Sequence, residues 1–130
     1  MTEFSSALDV AASGMRSQAD RLRHVSENIA NADTPGYRRK IVSFAEMRGP
    51  DAPQGAVQPG RVTLDRSALP RIFEPGHPMA DDSGHYRGSN VDLVVEIADA
   101  REAQRSYEAN LRVFDQIRQM SSSLNDLLRR

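Results

Sequence analysis

The chain is 130 residues long, room for about one domain. Its 17 Lys and Arg and 18 Asp and Glu are mixed along the sequence, so no basic stripe of the kind that tracks phosphates stands out and nucleic acid is a poor partner. The absence of cysteine excludes a disulfide framework and a thiolate metal site, and no apolar run reaches the roughly 18 residues of a membrane span.

The opening "MTEFSSALDV" lacks the positive start and unbroken apolar core of a secretory signal, so if the chain leaves the cytoplasm it is expected to use another route. With Leu8 at heptad position a, Met1, Met15, Leu22 and Ile29 share that position, while Phe4, Ala11, Gln18, Val25 and Ala32 fall at d. This spacing predicts one helix over residues 3–32, capped by Thr2, with an apolar seam interrupted by Gln18. Gly14, in "AASG", weakens a helix interior by about 1 kcal/mol relative to alanine, and small residues there would let another backbone come close.

The helix is expected to end at "NIANADTPGYRRK", residues 28–40. Pro35 drives Thr34 out of helical geometry and Gly36 permits a turn. Asn28 and Asn31 share a helix face and carry amides that both donate and accept, and Tyr37 offers an apolar plate with a polar tip. Arg38, Arg39 and Lys40 offer charge-assisted contacts. By the residues alone, a docking corner and an ordinary helix C-terminus followed by a turn are equally good accounts.

Between residues 40 and 88 the Pro and Gly content rises and the apolar runs shorten to "KIVSF", "RVTL" and "PRIF". They read as brief strands or extended arms, with "GPDAPQGAVQPG" as a flexible loop. A second helix is expected from "SNVD", where Ser89 and Asp92 have capping-box spacing, to Leu128. Leu93, Ala100, Tyr107, Phe114 and Leu128 share one heptad position, and Ala103, Ile117 and Leu124 the adjoining seam. Ile97, Leu111, Val113, Met120 and Leu127 widen this stripe beyond what one partner helix covers. The missing burial is expected to come from other chains.

No catalytic or metal template fits. His24 has no carboxylate or histidine four residues on and reads as a solvated helix-face histidine. "EPGHPMADDSGH" holds Glu74, His77, Asp81, Asp82 and His85, but in neither EF-hand nor zincin spacing, so a stiff turn-rich loop is expected, its Asp pair making side-chain to backbone turns. No nucleophile elbow, phosphate loop or dinucleotide fingerprint occurs, which argues against an enzyme and against any cofactor.

"NIANADTPGYRRK" resembles the N-terminal signature of flagellar rod, hook and hook-associated axial proteins, with its Ala-Asn-x-x-Thr-Pro-Gly-Tyr core. "EPGHPMADDSGHYRGSNVDLVVEI" and "AREAQRSYEANLRVF" look like the later part of the basal-body rod family, in particular its proximal-rod members. Ile97 stands where methionine is common, and "RGSNV" replaces a more proline-rich approach to Asn90 and Val91.

The resemblance implies a structural subunit exported by the flagellar type III apparatus without a cleaved signal peptide and built into a hollow periplasmic rod. It implies an inner coiled coil of residues 1–32 and 90–130, loosely ordered before assembly, and a corner with a small β-rich middle domain at 33–89. Implied partners are proximal and distal rod proteins, membrane-ring and export-gate components and further copies of the chain, with no membrane insertion. The expected fold class is mainly α with a small β-rich insertion. Expected corner residues are Asn28, Asn31, Thr34, Pro35, Gly36 and Tyr37, the two asparagines serving backbone groups of adjacent helices and Tyr37 packing on a neighbour. The expected assembly interface is Phe4, Leu8, Met15, Leu22, Val25 and Ile29 on the first helix and Leu93, Ile97, Tyr107, Leu111, Phe114, Ile117, Leu124 and Leu128 on the second. The competing reading is a small helical adaptor or secretion-chaperone-like module forming a closed soluble oligomer.

Overall fold

The computed structural model describes residues 2–130, with side chains from Glu3 onward. The heptad position of Met1 and the cap expected from Thr2 lie outside the described residues. Helix α1 spans Thr2–Ala30 and helix α2 spans Leu93–Leu128. Between them lie four short strands, β1 (Lys40–Glu46), β2 (Val57–Leu64), β3 (Arg71–Phe73) and β4 (His85–Arg87), forming two separate antiparallel pairs, β1 with β2 and β3 with β4. The fold is mainly helical with a β insertion, as the patterning predicts.

The helices run in opposite directions, since Asn28 meets Glu96 near one end and Gly14 faces Asn110 further along. Their shared core is made of small side chains: Ala11, Val25 and Ala103 are buried, and Ala56 of the β1–β2 loop joins them. Gly14 has a packing reason here. A β-carbon on it would come within 2.8 Å of the Asn110 amide nitrogen, so the missing side chain admits Asn110 of α2.

Phe4, Leu8, Met15 and Leu22 are only half-buried and Ile29 is exposed, so one chain leaves much of the a/d seam uncovered. The residues buried beside it are Ser13, Ser17, His24 and Asn28, at heptad positions f, c, c and g, which a two-helix coiled coil would leave in water. The β1–β2 hairpin folds back on this flank: the Val57 backbone N–H donates to Ser13 Oγ (3.0 Å), and Lys40 bonds Asn28. His24, expected to be solvated, is therefore buried, with its ring 3.6 Å from the carboxyl groups of Asp20 and Glu27. Helical periodicity carries no information about a strand that arrives later in the chain.

The second helix also starts later than the capping-box spacing suggests. Asp92 is the N-cap, its side chain accepting from the Val94 N–H at 3.0 Å, while the Ser89 hydroxyl instead donates to the Ala32 carbonyl and ties the root of α2 to the end of α1. The first two strands are longer than expected and β3 is one residue shorter. β2 takes in Val57, Gln58, Pro59 and Gly60, and its ladder with β1 slips between Val42 and Phe44. Pro59 is tolerated because a two-stranded ladder has only edge strands. β4 carries no alternation that would identify it, and it forms because the turn after β3 brings it back. In that turn Asp81 Oδ1 accepts from the Ser83 N–H, the Ser83 hydroxyl and the His85 N–H, and His77 stacks on Tyr86 with ring centroids 3.9 Å apart.

Candidate functional site: a hydrogen-bonded corner

After Ala30 the chain passes through two linked turns. The Asn31 carbonyl accepts from the Thr34 N–H (3.0 Å) and the Thr34 carbonyl from the Tyr37 N–H (3.2 Å). Side chains reinforce the bend, with Asn31 Nδ2 donating to its own helix at the Glu27 carbonyl (2.8 Å) and the Thr34 hydroxyl to Asn31 Oδ1 (3.1 Å). Gly36 adopts φ 76°, a left-handed conformation costly for any residue with a β-carbon, and its N–H donates to the Arg87 carbonyl at 3.1 Å. The corner is thereby fastened to the end of β4.

Asn28 is completely buried, and its amide is fully used. Oδ1 accepts from the Tyr37 hydroxyl and the Lys40 N–H, both at 2.8 Å, while Nδ2 donates to the Lys40 carbonyl (3.0 Å) and to Glu96 (3.2 Å). The partner helix expected to receive Asn28 is thus replaced, within this chain, by the chain's own β1 strand. Tyr37 likewise turns inward, and burial raises its phenol above the ordinary value.

Glu96 is the hub on α2. It is completely buried, takes the Asn28 amide on one oxygen and the Arg39 Nε–H on the other at 2.6 Å. Burial works against the charge on Arg39, but the hydrogen bond to Glu96, with Asp99 and Asp65 nearby, outweighs it and holds the guanidinium above its usual value. The Arg39 N–H donates to Asn90 Oδ1 (2.7 Å), whose amide nitrogen donates to the Asp65 carbonyl (2.9 Å). Lys40 Nζ lies 2.6 Å from Glu27, and this bond lowers the Glu27 carboxyl and raises the Lys40 ammonium.

Glu96, Asn90 and Asp65 were missed as corner residues by sequence reasoning. One signal was present for Glu96: it occupies the seam position shared by Ala103, Ile117 and Leu124, where a lone carboxyl among Val94, Val95 and Ile97 demands a buried partner. Pro35 is half-buried, and Thr34 and Gly36 are exposed at the outside of the bend. Of the residues expected to contact other subunits, Val25 is buried within the chain, Phe114 and Ile117 are half-buried, and Leu93, Ile97, Tyr107, Leu111, Leu124 and Leu128 are exposed.

The arrangement is suited to fixing an angle between elements. Its polar groups are consumed by one another, and among the described residues no group of three or more His, Asp or Glu side chains is placed to hold a metal ion. Among the described residues no helix is long and apolar enough to cross a membrane.

Comparison with known proteins finds the same two regions. Residues 8–38 match the family model described as flagella basal body rod protein, and residues 82–127 match that described as flagellar basal body rod FlgEFG protein C-terminal. The chain is 43% identical to the flagellar basal-body rod protein FlgC of Agrobacterium fabrum, over 99% of this chain and 98% of that protein. It is 35% identical to FlgC of Escherichia coli O157:H7 over 86% of this chain and 88% of that protein, and 33% identical to FlgC of Bacillus subtilis over 85% and 88%. The segments matched by the family models carry the turns of the corner, strand β4 and most of both long helices, and the chain belongs to the flagellar basal-body rod protein family.

Proposed function

We propose that this chain is a structural subunit of the proximal part of the flagellar rod, which passes torque from the membrane ring toward the distal rod and hook. The observation that carries this reading is the uncovered apolar stripe of α2. Leu93, Ile97, Leu111, Val113 and Met120 remain exposed after α1 and the hairpin have packed, as expected of a helix that finishes its burial against other subunits. Rod neighbours and further copies of the chain are the partners, and membrane-ring and export-gate components lie below them. The role is mechanical, without catalysis or cofactor.

In this reading residues 1–32 and 90–130 form the inner layer, with the segment 33–89 outside it. The chain leaves the cytoplasm by the flagellar type III route without a cleaved signal peptide, and the corner sets how the outer segment is carried on the helices. The surface of α2 and the half-buried Phe4, Leu8, Met15 and Leu22 are the assembly faces.

The test is Gly36→Val, which puts a branched side chain at φ 76° on an exposed bend. Cells carrying this variant as their sole copy of the gene should export the subunit but build no rod and fail to swim. Normal swimming would refute the role given to the corner. Wild-type chain absent from purified basal bodies would refute the rod assignment itself.

A further inference from the structure

The exposed apolar surface is not uniform, and two parts of it are complementary in polarity and charge. The first is a groove of about 610 Å³ between the start of α1 and the later part of α2, floored by Ala7, Val10, Ala11, Val113 and Ile117. Gln54 from the β1–β2 loop and Asn110 also line it, and the exposed Glu3 supplies a negative charge. The second is the end of α2. The antiparallel register fixed by the pairs Asn28–Glu96 and Gly14–Asn110 brings Glu3 opposite Ser121, so Leu124 to Leu128 lie beyond the level of Glu3. This overhang is about one and a half helical turns long. Leu124, Leu127 and Leu128 are 38%, 66% and 75% exposed, and Arg129 and Arg130 follow them.

We propose that the Leu124–Leu128 overhang of one copy seats in the α1–α2 groove of a second copy, with Arg129 or Arg130 against Glu3. The contact deepens the assembly reading above and rests on it. Two features select a second copy as the occupant. The groove is apolar where the overhang is apolar, and its acidic residue meets the overhang's basic ones. A chain cannot fill its own groove. Along the register Ala7 faces Ile117, so Leu127 lies ten residues further on, about 15 Å away. The contact is head-to-tail and propagates, which a closed two-fold contact does not.

The absence of cysteine makes the test clean. Full-length Ala7→Cys and Leu127→Cys chains, carrying tags of different size, are mixed at high concentration and oxidised. A disulfide within one chain is excluded, because each chain carries a single cysteine. The expected product is the mixed Ala7→Cys with Leu127→Cys dimer, dominant over both homodimers and over the same reaction with Ser67→Cys, which lies away from the groove. Adding Glu3→Arg to the Ala7→Cys chain should lower its yield about fivefold, and Arg129→Glu with Arg130→Glu on the Leu127→Cys chain should restore it. A mixed yield no greater than the Ser67→Cys control, or a dominant Leu127→Cys homodimer, would overturn the proposal. Because the readout uses purified chains, a positive cross-link with the wild-type chain missing from basal bodies would sink the rod reading and leave the self-contact standing.

Discussion

Asn28 on α1 and Lys40 at the start of β1 exchange two hydrogen bonds through one side chain: the amide nitrogen gives to the Lys40 carbonyl and the amide oxygen takes the Lys40 N–H. This is the exchange one strand residue makes with another across an antiparallel ladder, so Asn28 lets a helix act as the neighbouring strand for a single residue. The start of β1 is thereby seated on the helix, and the hairpin lies along the c and f positions.

Replacing Asn28 by alanine should destabilise the chain by about 3 kcal/mol or more, because the Lys40 N–H and carbonyl and the Tyr37 hydroxyl lose partners in a site closed to water. Asn28→Asp should be no better, since it sets a second carboxyl beside the buried Glu96. Urea unfolding of the purified chain reads both. A loss under about 0.5 kcal/mol for the alanine variant, typical of surface substitutions, would show that the amide is not the fastening.

Glu96→Ala should cost about 3–5 kcal/mol by leaving Arg39 without its main partner, as should Arg39→Ala by stranding Glu96. The double variant Glu96→Ala with Arg39→Ala should cost less than the sum of the single losses, since neither residue then leaves a charge unmatched. Additive losses in a double-mutant cycle would contradict the coupling.

At Gly14 the expected sign depends on the size of the new side chain. Leucine there must displace Asn110 and push α2 away, lowering the midpoint of thermal unfolding, and Asn110→Ala should recover part of the loss. Midpoints that ignore Asn110 would place the cost elsewhere.

The pH profile should fall at both ends. Glu27, held down by its bond to Lys40, and Asp65 and Asp81, held down by bonds from Ser67 and Ser83, have folded values below their ordinary 4.5, 3.8 and 3.8. Their contributions are present above those ordinary values and are lost as the pH falls through the lower folded ones. Tyr37, raised by burial, and Lys40, raised by its bond to Glu27, contribute fully below their ordinary 10.0 and 10.5 and lose this as the pH climbs through the higher folded values. Unfolding midpoints across the pH range should therefore drop below about pH 4.5 and above about pH 10. Asp81→Asn should flatten the acid limb, and Tyr37→Phe the alkaline one.

Much of this molecule was determined by its sequence alone. Apolar residues at heptad spacing define α1 and α2, because helix periodicity is a local property that three or four turns already display. The excess width of the α2 stripe is equally legible, and so is the break at Thr34, Pro35 and Gly36, where backbone sterics act within neighbouring residues. Tertiary structure decided which polar groups meet. Glu96 lies 68 residues beyond Asn28 in the chain, and nothing local distinguishes an asparagine that will close a helix onto a strand from one that ends a helix in water. The burial of His24 under a hairpin and the pairing of β3 with β4 have the same cause. Strand pairing and buried hydrogen bonds depend on which segments arrive together, and that is settled by the packing of the whole chain.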